Sequence, residues 1–406
     1  MSQLFTRLAD WAMKHRSQMP SWMGRAMESA ARNPDGMIGR LSSKLLGGGG
    51  VAPVTEVPTA PIRAYIAPTN YSGQGFAWAR ALERTDESIG ARNAAVELPG
   101  GFAFPADTLV PIAAVNGSAE WAAAEWEAAR QFTHVLVEAE RSMFGKQFGR
   151  DLEHEVAALQ LAGASVAFIC HGTDIRDPDR HAELTPWSMY PEDPRTDTLR
   201  ADARKNLALL RRQGLPVFIS TPDLITDVPE AFWCPVVLDT TRFATSAPVF
   251  AEGPVRVVHV SSNPLVKGSH YIEPALAPLI ASGDVAYSLI TGTPASEMPT
   301  VFAQSDIVVD QFRAGSYGVA ACEAMAAGRV VVGHVLPSVR SYIERETGLA
   351  LPIVEATPDT LRQVVAELVQ DQPRVRALAA AGVEYVSTVH TGQRSAQSLL
   401  KNWIRR

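Results

Sequence analysis

Cysteine is scarce in this chain. Cys170, Cys234 and Cys322 are the only three, they lie in or beside apolar segments, and no two have the close spacing of a metal site. An odd, scattered set argues against a disulfide framework and predicts reduced thiols in a cytoplasmic protein. Apolar runs long enough to span a bilayer are also lacking, as is the apolar core of a secretory signal. The expectation is a chain neither integral to a membrane nor exported by that route. An excess of basic residues is missing too: the net charge of −6 predicts no general affinity for nucleic acid.

What the chain has is enough apolar material, 46% over 406 residues, for two domains with cores of their own. Its charge is unevenly spread. Residues 1–50 hold seven basic against three acidic residues, or +4, which leaves −10 for the remainder. These fifty residues read as short amphipathic helices broken at Pro20 and Pro34, with Leu4, Phe5, Leu8 and Trp11 on one face and Trp22, Met23, Ala26 and Met27 on another. A basic, Met- and Trp-rich segment of this kind suits attachment to a membrane surface, docking of a partner protein, or packing on the protein's own surface. The Gly47–Gly50 run and the Pro-containing stretch to Pro61 then read as a flexible linker.

From Arg63 onward strands and helices alternate, which predicts an α/β fold with doubly wound parallel sheets. The predicted strands fall at 64–67, 94–98, 134–137, 165–169 and 216–220, then at 255–260, 286–290, 306–309 and 330–332. Helices are predicted at 76–84, 272–281, 295–304, 319–327, 336–345, 360–370 and 373–385. A last amphipathic helix over 395–406 carries Leu399, Leu400, Trp403 and Ile404 on one face. The polar, Pro-rich stretch from Pro178 to Pro194 reads as a loop, a candidate lid.

The most informative unit runs from Val308 to Gly333: an apolar strand, the turn Gly315-Ser316-Tyr317-Gly318, a helix from Val319 made of small residues, and a second apolar strand. A helix that opens just after two glycines presents bare N–H groups and the positive end of its dipole, a setting for phosphate. Glu323, just over one turn in, stands among Ala, Cys and Met, where a carboxylate must reach solvent or accept hydrogen bonds such as a ribose diol supplies.

With Tyr317-Gly318, Glu323-Ala-Met-Ala and Gly328, the unit resembles the donor-binding signature of retaining glycosyltransferases of the GT-B fold, the group 1 or family 4-like enzymes. In that signature an acidic residue stands eight positions before the Glu; here the place is Gly315. The segment Val257 to Gly268 is similar to the first strand of the same domain and its Lys-Gly phosphate loop, with Lys267 as the cation for the donor diphosphate. Many members carry an Arg six residues before that Lys; here the place is Ser261. Losing such a contact costs roughly 1.5–3 kcal/mol of donor binding unless Arg313 or Ser262 replaces it. The turn with Gly73 and Gly75 resembles the loop that faces the donor phosphates in these enzymes, although each glycine also reads as a plain tight turn. His171-Gly172-x-Asp174-x-Arg176 resembles the acceptor-side motif, with His171 bonding a sugar hydroxyl or assisting proton transfer and Asp174 orienting it. The bland alternative is a strand-end His171 bonded to backbone, beside a local Asp174–Arg176 ion pair.

The resemblance implies two Rossmann-like domains facing a cleft. The acceptor domain would occupy 62–240 and the nucleotide-sugar domain 241–394, with the helix at 395–406 returning to the first and with residues 1–50 and 51–61 as extension and linker. It implies His171, Asp174 and Lys267 as catalytic residues. Donor contacts would come from Gly73, Gly75, Ser261, Lys267, Gly315, Ser316, Tyr317, Gly318, Val319 and Glu323. The donor would be a UDP- or GDP-sugar, and the acceptor a glycan, lipid or protein. No cofactor or metal is expected, so the Asp177-x-Asp179 pair is not read as a metal site. Gly315 and Ser261 support a second reading, an inactive GT-B protein kept as a binding partner.

Overall fold

The computed structural model describes residues 52–98, 104–250 and 253–406; the helices expected in the first fifty residues lie outside these, as does Phe102. Twelve strands are found among them: β1 Ile62–Ala67, β2 Ile89–Glu97, β3 Thr108–Pro111, β4 His134–Glu138, β5 Ser165–Cys170, β6 Val217–Ile219, β7 Phe232–Trp233, β8 Val255–Val260, β9 Val285–Ile290, β10 Ile307–Val309, β11 Val330–Gly333 and β12 Ile353–Glu355. They form two sheets, in the orders β3-β2-β1-β4-β5-β6-β7 and β12-β11-β10-β8-β9. β1 runs parallel to β2 and β4, and β8 runs parallel to β9 and β10. Parallel sheets are covered on both faces, which is why β10 and β11 are buried at every residue and read as continuous Val and Ile rather than alternating.

The described residues pack as two compact units, one of those up to Ile169 with Arg212–Val217 and Leu400–Arg406, the other of those in Cys170–Arg211 and Phe218–Leu399. The core of the second joins Val257, Ile307, Val309, Val330 and Val332 to Ile272, Leu276, Leu361, Val365 and Leu368 of the surrounding helices. In the first unit Trp403 donates its indole N–H to Ser165 Oγ (3.0 Å) and meets the His134 ring edge-on.

Several expectations are corrected. The stretch before β1 is not free chain. Buried Thr55 donates its N–H and hydroxyl to the Glu125 carboxylate (2.8 and 2.6 Å), Trp121 donates to the Pro53 carbonyl, and a Cβ on Gly90 would stand 2.6 Å from Pro58. Pro178–Leu184 is a helix rather than a loop. The Asp177 carboxylate accepts from the Asp179 and Arg180 amides, and Pro178 occupies the first turn, where its missing N–H costs nothing. β2 begins at Ile89, well before the expected start, because Ile89–Asn93 pair in parallel with Ile62–Ile66 of β1; the polar Asn93 that hid this is buried, with its side chain bonded to the Ile66 carbonyl. β3 and β12 were not expected; at four and three residues they are too short for periodicity to show. The C-terminal helix ends at Leu399 and continues as a π-helical turn over Leu400–Ile404.

Candidate functional site

In the five-stranded sheet the order reverses at β8, which has β9 on one side and β10 on the other. Loops leaving the carboxyl ends of such neighbouring strands diverge and open a crevice where open α/β sheets bind ligands. Here those loops are Ser261–Gly268 after β8 and Asp310–Gly318 after β10.

Lys267 ends the short helix Pro264–Lys267, capped by the Asn263 side chain at its start and by Gly268 at φ +72° at its end. Its Nζ donates to Asp310 Oδ1 at 2.8 Å, across 43 positions of sequence. The helix Val319–Ala326 starts at Gly318 with no side-chain cap, which leaves the Val319 and Ala320 amides available. Glu323 is half-buried, and among the described residues nothing hydrogen-bonds its carboxylate. Burial pushes it up to about 7, against the pull of Arg242 and Lys267. A cation, a bare helix start and an unbonded carboxylate thus meet at the switch point.

Other expected donor contacts are placed differently. The Tyr317 side chain is buried, its hydroxyl 2.8 Å from that of Tyr385 and 3.1 Å from His390 Nε2, so only its backbone can serve a ligand. Ser316 is also buried, and its carbonyl accepts from Gln311 Nε2 at 2.6 Å. Ser261 Oγ lies 3.0 Å from Ser269 Oγ, which lies 2.8 Å from His259 Nε2. The His259 Nδ1–H donates to the Val309 carbonyl, and burial pushes this imidazole down to about 4. A neutral chain therefore occupies the place of the expected arginine. Arg313 does not replace that charge: buried, it donates to the Trp187 and Ser188 carbonyls (3.1 and 3.0 Å) and to Glu192 (2.8 Å). That set of bonds also holds in place the 187–192 stretch, which is loop as expected.

The carboxylate of Asp174 accepts from the amides of His171 (2.7 Å) and Gly172 (2.5 Å), so it shapes the turn after β5. Burial pushes His171 down to about 4, leaving a neutral imidazole. Arg176 pairs with Asp223 rather than Asp174. Asp177 caps a helix and Asp179 pairs with Arg200 and Arg204.

In the first unit the turn after β1 carries Asn70, Ser72 and Gly73 in the left-handed region. Gly75 has a packing reason: a Cβ there would stand 2.4 Å from Asn93 Nδ2 and 3.0 Å from Glu138 Oε1. Glu138, at the end of β4, accepts from the Thr69 and Asn70 amides (both 2.9 Å) and is pushed up to about 7 by burial. Sequence reading missed Glu138 and Asp310. The available signal was a carboxylate directly after an apolar run, Val135–Val137 and Ile307–Val309.

These raised carboxyls make stability depend on pH. Folded Glu138 and Glu323 keep protons up to about pH 7 that unfolded glutamates release near 4.5. Their contribution is therefore full below the unfolded value and is lost as pH rises through about 7. From pH 5 to pH 8 the urea midpoint of Glu323→Gln is expected to change in a more favourable direction than that of the wild type, since the variant lacks the Glu323 contribution that is lost over this range; an unchanged slope in that variant would refute the assignment for Glu323.

No family model matches this chain, and no curated protein matches it in sequence. Among solved structures it is similar to Anabaena HepE bound to UDP and glucose (12% identity, 84% of this chain and 98% of that one, TM-score 0.54). It is also similar to sucrose-phosphate synthase from Thermosynechococcus elongatus (12%, 84% and 97%, TM-score 0.53) and to a glycosyltransferase from Rickettsia africae (10%, 85% and 100%, TM-score 0.50). Two parallel, Rossmann-like sheets with these neighbours define the GT-B fold, the fold in which these glycosyltransferases are built. Among the described residues no helix is long and apolar enough to cross a membrane.

Proposed function

We propose that this protein is a glycosyltransferase that moves a sugar from a nucleoside diphosphate donor to a hydroxyl acceptor with retention. The observation that carries the reading is the meeting, at the β8–β10 switch point, of Lys267, the uncapped helix at Val319 and the unbonded Glu323 carboxylate. In this reading Lys267 and the first helix amides take the diphosphate, where negative charge grows as the sugar leaves. Glu323 accepts from the ribose diol. HepE, a structural neighbour, has been crystallised with UDP and glucose and with UDP-glucose, which supports a nucleotide sugar as the ligand class. The neutral His171 serves the acceptor side, and Asp174 holds its turn in shape. Retention follows the resemblance of the Glu323-Ala-Met-Ala segment, in which the leaving phosphate itself takes the acceptor proton.

The test is calorimetric binding of UDP, GDP and ADP and their sugar conjugates. One nucleotide is expected to bind the wild type, and Lys267→Ala and Glu323→Ala should each weaken it about tenfold or more, the worth of a charge-assisted hydrogen bond. Binding near pH 6 should release protons, because a diol bonded to Glu323 favours its ionised form. A folded protein that binds no nucleotide of the panel would end this reading. The anomeric configuration of the product then decides between retention and inversion.

A further inference from the structure

Of the two cations on the β8 and β10 loops, Arg313 is spent on the 187–192 stretch, and Lys267 too is already engaged. Its partner Asp310 is 2% exposed, against 13% for the Lys267 side chain. Asp310 is fixed from behind: its amide donates to the Val332 carbonyl at 2.9 Å, an extension of the pairing of β10 with β11. The two places expected to supply a further phosphate contact do not, since Ser261 lies in a neutral hydroxyl–imidazole chain and Arg313 is spent on the 187–192 stretch; Arg242 acts on Glu323 instead.

An ammonium has three N–H donors in tetrahedral arrangement. A phosphate oxygen on a second donor at ordinary bond length would lie ~4.6 Å from the Asp310 oxygen already on the first. At that separation, in a site this enclosed, a carboxylate and a phosphate repel appreciably, and the repulsion scales with the phosphate's charge. A sugar donor has one negative charge on each of its two phosphates. The free nucleoside diphosphate gains a further charge on its terminal phosphate, which ionises near pH 6.

We propose that Asp310 weakens the grip of Lys267 on phosphate, more for the released nucleoside diphosphate than for the sugar donor, and thereby speeds product release. This inference rests on the reading of the site as one for nucleotide sugars. Asp310 touches no substrate; it acts through Lys267 and through its field.

Asp310→Asn keeps the shape and a hydrogen-bond acceptor for Lys267 while removing the charge. Measured by calorimetry above pH 7, the variant is expected to bind the nucleoside diphosphate about tenfold more tightly and the sugar conjugate only about threefold more tightly. Asp310→Ser, neutral and smaller, is read in the same way should the Asn variant fail to fold. Equal changes for the two ligands, weaker binding of both, or no change would overturn the proposal. If the wild type binds a nucleotide and Lys267→Ala weakens it while the ratio stays fixed in the Asp310 variants, only the role of Asp310 falls. If neither wild type nor variant binds any nucleotide, the functional reading falls with it.

Discussion

Arg176→Met is expected to destabilise the second unit by about 3–5 kcal/mol, because it leaves the Asp223 charge buried without its partner. Arg176 is 8% exposed and Asp223 4%, and the guanidinium reaches Oδ2 with both Nε (3.0 Å) and Nη2 (2.5 Å). Burial alone would lower the arginine and raise the aspartate, but each shifts the opposite way because the partner's charge prevails. The pair ties the segment after β5 to the turn at Pro222–Thr226. Replacing both, as Arg176→Met with Asp223→Leu, should recover most of the loss, since an apolar pair of similar volume avoids the desolvation of two ions. Urea unfolding of the two single variants and the double one forms the cycle. A single Arg176→Met that costs less than about 1 kcal/mol would show that the pair is solvated in solution.

Gly315→Glu, which would supply the acidic residue that the resemblance places there, should not strengthen nucleotide binding but cost about 2–5 kcal/mol of stability. Gly315 has φ +67°, a conformation that disfavours any L side chain. Its neighbourhood is filled as well: an added Cβ would stand 2.8 Å from Cγ and 2.9 Å from Cδ1 of Leu336, whose own amide donates to the Gly315 carbonyl at 3.0 Å. Strain of roughly 1–2 kcal/mol and overpacking of roughly 1–3 kcal/mol therefore add. Urea unfolding together with nucleotide calorimetry tests this. A Gly315→Glu variant as stable as the wild type that binds donor more tightly would show that the site tolerates the acid. The glycine is thus built into the turn, and any chemistry at the site proceeds without an acid at this position.

Much of the molecule was legible before its structure. Short Val-rich runs announced β8, β10 and β11, because a strand covered on both faces admits few polar residues. Helix Val319–Ala326 followed from Gly318 and a run of good helix formers, and Glu323 stood out as the one charge in that run. Local chemistry set those features, and local chemistry is what a sequence displays. The helix at Pro178–Leu184 was read as a loop: its polar composition concealed it, although Asp177 and Pro178 are a helix-start signal.

What the sequence by itself determined, then, is the class of fold, the positions of most strands and helices, and the candidacy of Lys267 and Glu323. Only the tertiary structure decided which candidates are available to a ligand. Tyr317 and Arg313 read as contacts and are spent on buried networks with Tyr385, His390, Trp187, Ser188 and Glu192. Asp310 read as nothing in particular and holds Lys267. The physical reason is that a hydrogen bond or ion pair is fixed by distances across the fold, here between loops 43 positions apart, and those distances are set by how parallel strands neighbour one another rather than by any residue's own preference.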